Sequence, residues 1–235
     1  MSLNFKTKTT QKFKNRPDIG EELVKKFFKG RNGFFVDVGA NHPTIDSQSY
    51  HLECIDWDGI LIEPLKTYTN MLLKERSAKL IEVACSSREN HNKVLEIIDA
   101  GVHSTLNKEP IAVGVSSNKT QKVKCKTLDS VLKDNNVKVN FEFLSIDIEG
   151  HEMELFDGFT IGYWLPQLII LEDHVINRDK HNYMKKNNYN LICRTGLNSW
   201  YVPKTKKWKL SLAAKIEFFR KYYLAIKLRK IRYSK

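Results

Sequence analysis

Short apolar runs recur along this chain, and several of them end on an acid. Phe34-Phe35-Val36 leads into Asp37-Val38-Gly39-Ala40-Asn41-His42-Pro43, and Gly59-Ile60-Leu61-Ile62 leads into Glu63-Pro64. Residues 141–147 and 167–171 are equally apolar, the second run being followed by Glu172-Asp173-His174. Unbroken apolar runs of this length predict strands buried on both faces, the mark of a parallel sheet. Further strands are expected at residues 33–38, 59–63, 80–84, 94–98 and 123–125, with 189–193 and 199–202 as a terminal antiparallel pair. Helical segments fall between them. Pro17 and Asp18 open one that Gly30 closes, residues 46–57 form the first crossover helix, Pro64 starts the next, and Thr127-Leu128-Asp129-Ser130 opens another. Strand and helix alternate on the scale of an α/β fold, a doubly wound, mostly parallel sheet with helices on both faces.

Two stretches break the alternation. Residues 99–120 form a polar loop containing glycine, long enough to carry function rather than only to connect. From Trp208 to Arg232, Leu212, Ile216, Phe219, Tyr223 and Ile226 recur at helical spacing among lysines and arginines, with Lys215 and Lys230 on or near the apolar side. This tail reads as a helix packed on the body or on a partner subunit, as a membrane-surface helix, or as a nucleic-acid arm.

The acids at the strand ends give the first chemical signal. A buried strand ending in a glycine turn delivers backbone to a nucleotide-sized ligand at the carboxyl edge of a parallel sheet. An acid about 20–25 residues later is placed to accept hydrogen bonds from ribose hydroxyls. Asp37 with Gly39, and then Glu63, fit that spacing and suggest an adenosine-containing cofactor. Neighbouring parallel strands end on one edge, so Asp147, Glu172 and Asp173 are expected to converge there with Asp37 and Glu63. So many carboxylates repel one another unless a cation or a donor-rich ligand lies among them.

Charge divides the chain into three. Residues 1–31 carry nine Lys/Arg against three acids, residues 204–235 twelve against one, and the middle eighteen against twenty-three. A mildly acidic body over 32–203 therefore lies between a basic N-terminal helical extension and a basic C-terminal helix. A nucleic-acid reader would line its own cleft with positive charge, so nucleic acid is not the expected partner. Basic ends point instead to an anionic surface or a polyanion. No run is long enough in apolar residues to span a bilayer, and residues 1–14 lack the apolar core of a secretory signal. The cysteines Cys54, Cys85, Cys125 and Cys193 are scattered without a Cys-x-x-Cys pair, which fits reduced, buried thiols and a cytoplasmic setting.

The ordered set Val36-Asp37-Val38-Gly39-Ala40-Asn41, Ile62-Glu63-Pro64, Ser104-Thr105-Leu106, Thr127-Leu128-Asp129 and Ile146-Asp147-Ile148-Glu149-Gly150-His151-Glu152 resembles the FkbM family of S-adenosylmethionine-dependent methyltransferases. The resemblance covers about residues 33–203. It implies a class I methyltransferase (Rossmann-like) fold and methyl transfer to a hydroxyl, often on sugars or polyketide-type products. Ser145 stands where the family often has lysine, and the turn reads Gly39-Ala40-Asn41 rather than Gly-x-Gly. Carried over, Asp37, Gly39, Ala40 and Asn41 would line the methionine part of the cofactor, Glu63 would take the ribose, and Ala84 with its turn would border the adenine. Asp147, Glu149 and His151 would be the catalytic set, with Glu149 or His151 as general base.

Asp147, Glu172 and Asp173 also resemble the metal triad of magnesium-dependent sugar and macrolide O-methyltransferases, which makes Mg²⁺ a candidate second cofactor. An alcohol gives up its proton more readily beside a divalent cation held by oxygen ligands. His42, His103 and His174, with Arg194, Asn198 and Trp200, are the expected substrate contacts, aromatic faces beside hydrogen-bond donors being suited to a sugar ring. The leading expectation is an O-methyltransferase acting on a saccharide or a lipid-linked glycan in surface-glycan or glycolipid assembly. Through residues 208–232 it would touch the anionic inner face of a membrane. A homo-oligomer, an RNA or protein methyltransferase, and a non-catalytic binding subunit of the same fold stay open as alternatives. No Asn-Pro-Pro-Tyr motif for amino-group methylation is present, and the acidic segment 147–150 favours a hydroxyl acceptor.

Overall fold

The computed structural model describes residues 19–107, 117–206 and 212–226. Seven strands form one sheet: β1 Phe34–Val38, β2 Asp58–Ile62, β3 Lys79–Ile81, β7 Phe143–Ile146, β8 Leu168–Glu172, β9 Tyr189–Thr195 and β10 Asn198–Pro203. Their order is β3-β2-β1-β7-β8-β10-β9. The first five run parallel, and β10 lies antiparallel to both β8 and β9. The order reverses direction at β1, so the carboxyl ends of β1, β2 and β7 open onto a crevice.

Both faces of the sheet are covered, which is why its strands read as unbroken apolar runs. Val36, Val38, Ile60, Ile62, Leu144, Ile146, Ile169 and Leu171 share one cluster with residues of α4 (Leu128–Asp134), α5 (Glu152–Asp157) and α6 (Ile161–Trp164). Phe35, Leu61, Phe143, Leu168, Ile170 and Trp200 point the other way, against Val24 and Phe28 of α1 (Ile19–Phe28), Leu52 of α2 (Tyr50–Glu53) and Leu72 of α3 (Lys66–Glu75). A second, three-stranded sheet of β4 Ala84–Cys85, β6 Thr120–Lys126 and β5 Val94–Ile98 adds a third apolar cluster around Leu65, Ile97 and Cys125.

Several elements differ from expectation, each for a local reason. The crossover helix expected over 46–57 is the single turn α2, because Asp46 and Asp56 adopt positive φ of 56° and 60° and the Ser47 hydroxyl accepts from the backbone of Ser49 and Tyr50. The strand expected over 80–84 splits in two. The Val83 N–H folds back onto the Ile81 carbonyl at 3.1 Å, and the chain leaves the main sheet for the small one. Among the cysteines, Cys85 and Cys125 are buried, Cys193 is half-buried, Cys54 is exposed, and all are free thiols.

The tail helix α8 (Leu212–Phe219) continues as a π-helical stretch, Arg220–Ala225. Tyr222 and Ile226 enter the core. The Tyr222 hydroxyl donates to Asp173 Oδ2 within a buried network of Arg194 and Ser199. Among the described residues no helix is long and apolar enough to cross a membrane.

Candidate active site

At the crevice lies an open cleft, walled by Val38 at the end of β1 with Gly39 and Asn41 after it, Glu63 to Leu65 after β2, Ala84 and Cys85, the segment Ser104 to Leu106, and Asp147 to Glu149 with His151 after β7. Gly39 is shaped by its neighbours. Its φ is +84°, its N–H donates to Ile62 O at 2.9 Å, and a Cβ there would sit 1.8 Å from the Asp147 carbonyl oxygen. Only a residue without a side chain lets the β1 and β7 turns approach this closely.

Glu63 closes one end of the cleft. Its two oxygens accept from the N–H groups of Asn41 and Leu65, each at 2.9 Å. Burial nevertheless pushes its pKa up to about 7, against the pull of those donors. The Asn41 side-chain oxygen, buried at the same wall, has no hydrogen-bond partner among the described residues. A carboxylate and an unpaired amide oxygen, flanked by apolar Leu65, Tyr68, Val83 and Ala84, make a surface fitted to a ligand with hydroxyl or amino donors and a flat apolar ring.

The opposite end is acidic. Past β7 the chain turns through Glu149 at φ +50° and Gly150 at +94° before His151 opens α5. A glutamate in the left-handed region is uncommon and is held by its contacts. Thr105 Oγ1 donates to the Glu149 carbonyl at 2.9 Å, and His103 Nδ1 lies 3.1 Å from its Oε1. From β8, Glu172 Oε1 meets His174 Nε2 at 3.1 Å. Oxygen and nitrogen atoms of Glu149, Glu172 and His174 all lie within 4.8 Å of one another. The Oε2 atoms of Glu149 and Glu172 are buried without a hydrogen-bond partner among the described residues.

These carboxyls titrate together. Burial raises Asp147 well above the carboxylate range, reinforced by the charges of Glu172 and Glu149. Burial would raise Glu172 as well, but His174 first, then Asp147 and Lys180, hold it below its ordinary value. Within the pair the two shifts run in opposite directions, Asp147 up and Glu172 down. Glu149 is raised by burial and then by Glu172. His151 is pushed down by burial, against the pull of Glu154 and Glu152, with Nε2 2.9 Å from Ser86 Oγ and Nδ1 3.4 Å from Asn107 Oδ1.

The expected site residues thus fall into two groups. Gly39, Asn41, Glu63, Ala84, Asp147, Glu149 and His151 line the cleft, and His103 and His174 reach its acidic end through Glu149 and Glu172. Asn198 lies in register with Glu172 across β10 and β8. Others lie elsewhere. Strand alternation puts Asp37 on the face of Phe35 rather than that of Val38. There its Oδ2 accepts from Ser49 Oγ at 2.5 Å, and Arg76 Nη2 donates to the same hydroxyl at 3.0 Å. Asp37 therefore braces the turn from behind, and Ala40 is a core residue beside Leu52.

The same alternation corrects the expected metal triad. Glu172 and Asp173 are neighbours and point to opposite faces. Asp173 is bound by Arg194, Tyr222 and the Val175 N–H at 2.8 Å, while Glu172 joins Glu149 and His174. Arg194 and Trp200 are corrected as substrate contacts, the first being buried in that network and the second in the core, with its indole N–H on Thr195 Oγ1 at 2.8 Å. The His42 ring accepts from Thr44 and Ile45 N–H at 3.2 and 3.0 Å and caps its own turn.

Sequence reasoning missed two braces. The Lys180 ammonium, from α7 (Asp179–Lys186), meets the fully buried Glu152 at 2.7 Å and donates to the Glu172 carbonyl at 2.9 Å, tying the β7 turn to the end of β8. Arg76 reaches Glu53 at 2.7 Å and the Pro43 carbonyl at 3.0 Å. Both are long-range pairings of common residue types, and no local pattern announces them.

A doubly wound sheet in this strand order, with a glycine turn after β1 and an acid after β2 around one cleft, defines the class I methyltransferase fold. Residues 37–196 match the methyltransferase FkbM domain, and the chain belongs to that family. No curated protein matches the sequence. Among solved structures, precorrin-6y C5,15-methyltransferase from Geobacter metallireducens aligns with 82% of this chain and 90% of its own at 10% identity and a TM-score of 0.40, too distant for any argument to rest on it.

Proposed function

We propose that this methyltransferase uses S-adenosylmethionine to methylate a hydroxyl of a saccharide, in the building of a surface glycan or its lipid-linked precursor. The observation that carries the hydroxyl acceptor is Glu149. It is a buried carboxyl on the cleft wall with a raised pKa and one oxygen without a partner among the described residues. A neutral amine attacks through its lone pair and sheds its proton afterwards, whereas an alcohol must lose its proton as the new bond forms. The saccharide rests on the family likeness, since Trp200 and Arg194 no longer supply a sugar platform.

The residues present fit the cofactor. Glu63 faces the cleft ready to accept from the ribose hydroxyls, the Asn41 amide oxygen can take the amino group of the methionine end, and Leu65, Tyr68 and Ala84 offer apolar surface to the adenine. The bound cofactor would supply an electrophilic methyl group. The chain's part is to orient the acceptor hydroxyl and to hold its proton at Glu149 Oε2. Titration of S-adenosylhomocysteine into the protein, followed by labelled-methyl transfer to a panel of saccharides, tests this reading. Saturable binding with label in a saccharide is expected, and label only in protein or RNA would overturn it.

Glu63 gives the binding step a pH signature. Ribose hydroxyls donate to the carboxylate form, and the free protein holds that carboxyl half-protonated near a pKa of about 7. Affinity for S-adenosylhomocysteine should rise about tenfold per pH unit up to about pH 7 and then level off. The sign for stability is the reverse. The folded state binds the extra proton, so Glu63 makes the ligand-free protein less stable as pH rises from its ordinary value of 4.5 to about 7. Calorimetric titration across that window measures the first effect, and Glu63→Gln should flatten it.

A second reading is favoured by the Oε2 atoms of Glu149 and Glu172, which lie near His174 without a partner among the described residues. A divalent cation among these three would offset their charge and bring an acceptor hydroxyl nearer to ionisation. An imidazole with two carboxylates suits Mn²⁺, Co²⁺ or Zn²⁺ better than the all-oxygen preference of Mg²⁺. Thermal melts with each ion against a chelator decide it. A rise of several degrees that disappears in Glu172→Gln supports the cation, and identical melts remove it.

A further inference from the structure

The tail helix shows the body one face and solvent another. Tyr222 and Ile226 are buried and Phe218 half-buried, with Phe218 and Tyr222 packed on the His181 ring at 5.0 and 5.1 Å. Leu212, Ile216 and Phe219 point away, exposed by 74, 59 and 55%, and Tyr223, 40% exposed, edges the stripe with the Arg178 guanidinium over its ring at 5.1 Å. They recur at the spacing of one helical stripe. The Phe219 and Tyr223 rings stack at 5.5 Å, so the stripe is continuous across the passage from α-helix to π-helix. Four large apolar side chains in a row on solvent are unusual for a surface helix.

Charge complementarity says what covers them. Residues 204–235 carry twelve Lys/Arg against one acid. Lys215 and Arg220, both exposed, stand beside Ile216 and Phe219 in the helix. A protein partner would need an acidic rim around an apolar groove, whereas an anionic bilayer presents both over any length of helix.

We propose that the exposed stripe Leu212, Ile216, Phe219 and Tyr223, with the surrounding lysines and arginines, docks the protein on an anionic lipid surface, the apolar residues entering the headgroup boundary and the cations facing lipid phosphates. The docking does not depend on which acceptor is methylated, and S-adenosylhomocysteine titration, which reports on the cleft alone, separates its failure from failure of the enzymatic reading.

The test is co-sedimentation of the full chain with vesicles of phosphatidylcholine mixed with phosphatidylglycerol, and with vesicles of phosphatidylcholine alone. Binding to the mixed vesicles is expected, weakened as salt screens the charges. The double variant Ile216→Ser with Phe219→Ser changes only solvent-facing positions and should bind roughly a hundredfold less. Its S-adenosylhomocysteine affinity should equal that of the parent, which shows that it folds. Analytical ultracentrifugation of both proteins completes the test. A monomeric parent that binds anionic vesicles through the stripe upholds the proposal. Vesicle binding undiminished in the double variant overturns it, as does no binding at low salt. A parent dimer that the variant dissolves, without vesicle binding, would overturn it in favour of a second copy of this chain.

Discussion

Gly39→Ala is expected to abolish S-adenosylhomocysteine binding and to lower the melting temperature by roughly 8–16 °C, on the scale of about 2–4 °C per kcal/mol for a chain of this size. Two costs combine. The position holds φ +84°, where an L-residue loses about 1–2 kcal/mol. The added Cβ would also meet the Asp147 carbonyl oxygen at 1.8 Å and its carbon at 2.9 Å. Backbone cannot step aside as a flexible side chain can. Asp147 is tied back by its own N–H to Val38 O at 2.9 Å, so relief requires the β1 and β7 turns to part. The total falls in the class of about 4 kcal/mol or more that overpacking and backbone strain produce. Parting these turns moves Asn41, whose N–H holds Glu63, so both ends of the cofactor surface shift together. Calorimetry and thermal melts measure the two effects. An alanine variant that binds within about threefold of the parent would show that the turn is not what holds the ligand.

That turn was legible in the sequence, and so was most of the central sheet. Buried parallel strands must be apolar on both faces, so the runs around Val36, Ile60, Leu144 and Ile169 stand out without any alignment. The acids after them mark the carboxyl edge, where Glu63, Asp147, Glu149 and Glu172 do gather. What the order of residues hides is which side of the edge each acid takes. Asp37 and Asp173 look like members of the same constellation, yet strand alternation turns the first toward Ser49 and the second toward Tyr222. Arg194 and Trp200 show the converse error. A donor beside an aromatic resembles a sugar site in a string of letters, but here Arg194 neutralises Asp173 and Trp200 fills the core against α1 and α2. In the tail, the helical spacing was visible. The burying face, however, is set by Phe218, Tyr222 and Ile226, because the anchor is a hydrogen bond from Tyr222 to an acid far away in the chain. Part of the loop between β5 and β6 expected to carry function, 108–116, lies outside the described residues, as do the flanks of the tail.

Glu149→Gln should separate chemistry from binding. The amide keeps the shape of the carboxyl and can still accept from His103, which lies 3.1 Å from Oε1, and the Thr105 bond to the backbone carbonyl at 2.9 Å is untouched. The left-handed turn that carries it is therefore expected to survive. What disappears is a carboxylate oxygen on the cleft wall that has no hydrogen-bond partner among the described residues. A positioned base contributes roughly 10²–10⁴ in rate, so methyl transfer to a saccharide acceptor should fall by that factor. Affinity for S-adenosylhomocysteine should change by less than about threefold, because the cofactor surface lies at the other end, around Glu63 and Asn41. His151 is the rival base, and its geometry argues against it. Both ring nitrogens are already engaged, one with Ser86 at 2.9 Å and one with Asn107 at 3.4 Å, so a substrate proton would have to displace an existing partner. His151→Asn is expected to cost less turnover than Glu149→Gln. If the histidine variant were the silent one and the glutamine variant fully active, the proton would leave by another route and the hydroxyl reading would lose its central residue. If both lose turnover while a chelator inactivates the parent, Glu149 acts beside His174 and Glu172 as a cation ligand, and loss of Mn²⁺ binding in Glu149→Gln would show it directly.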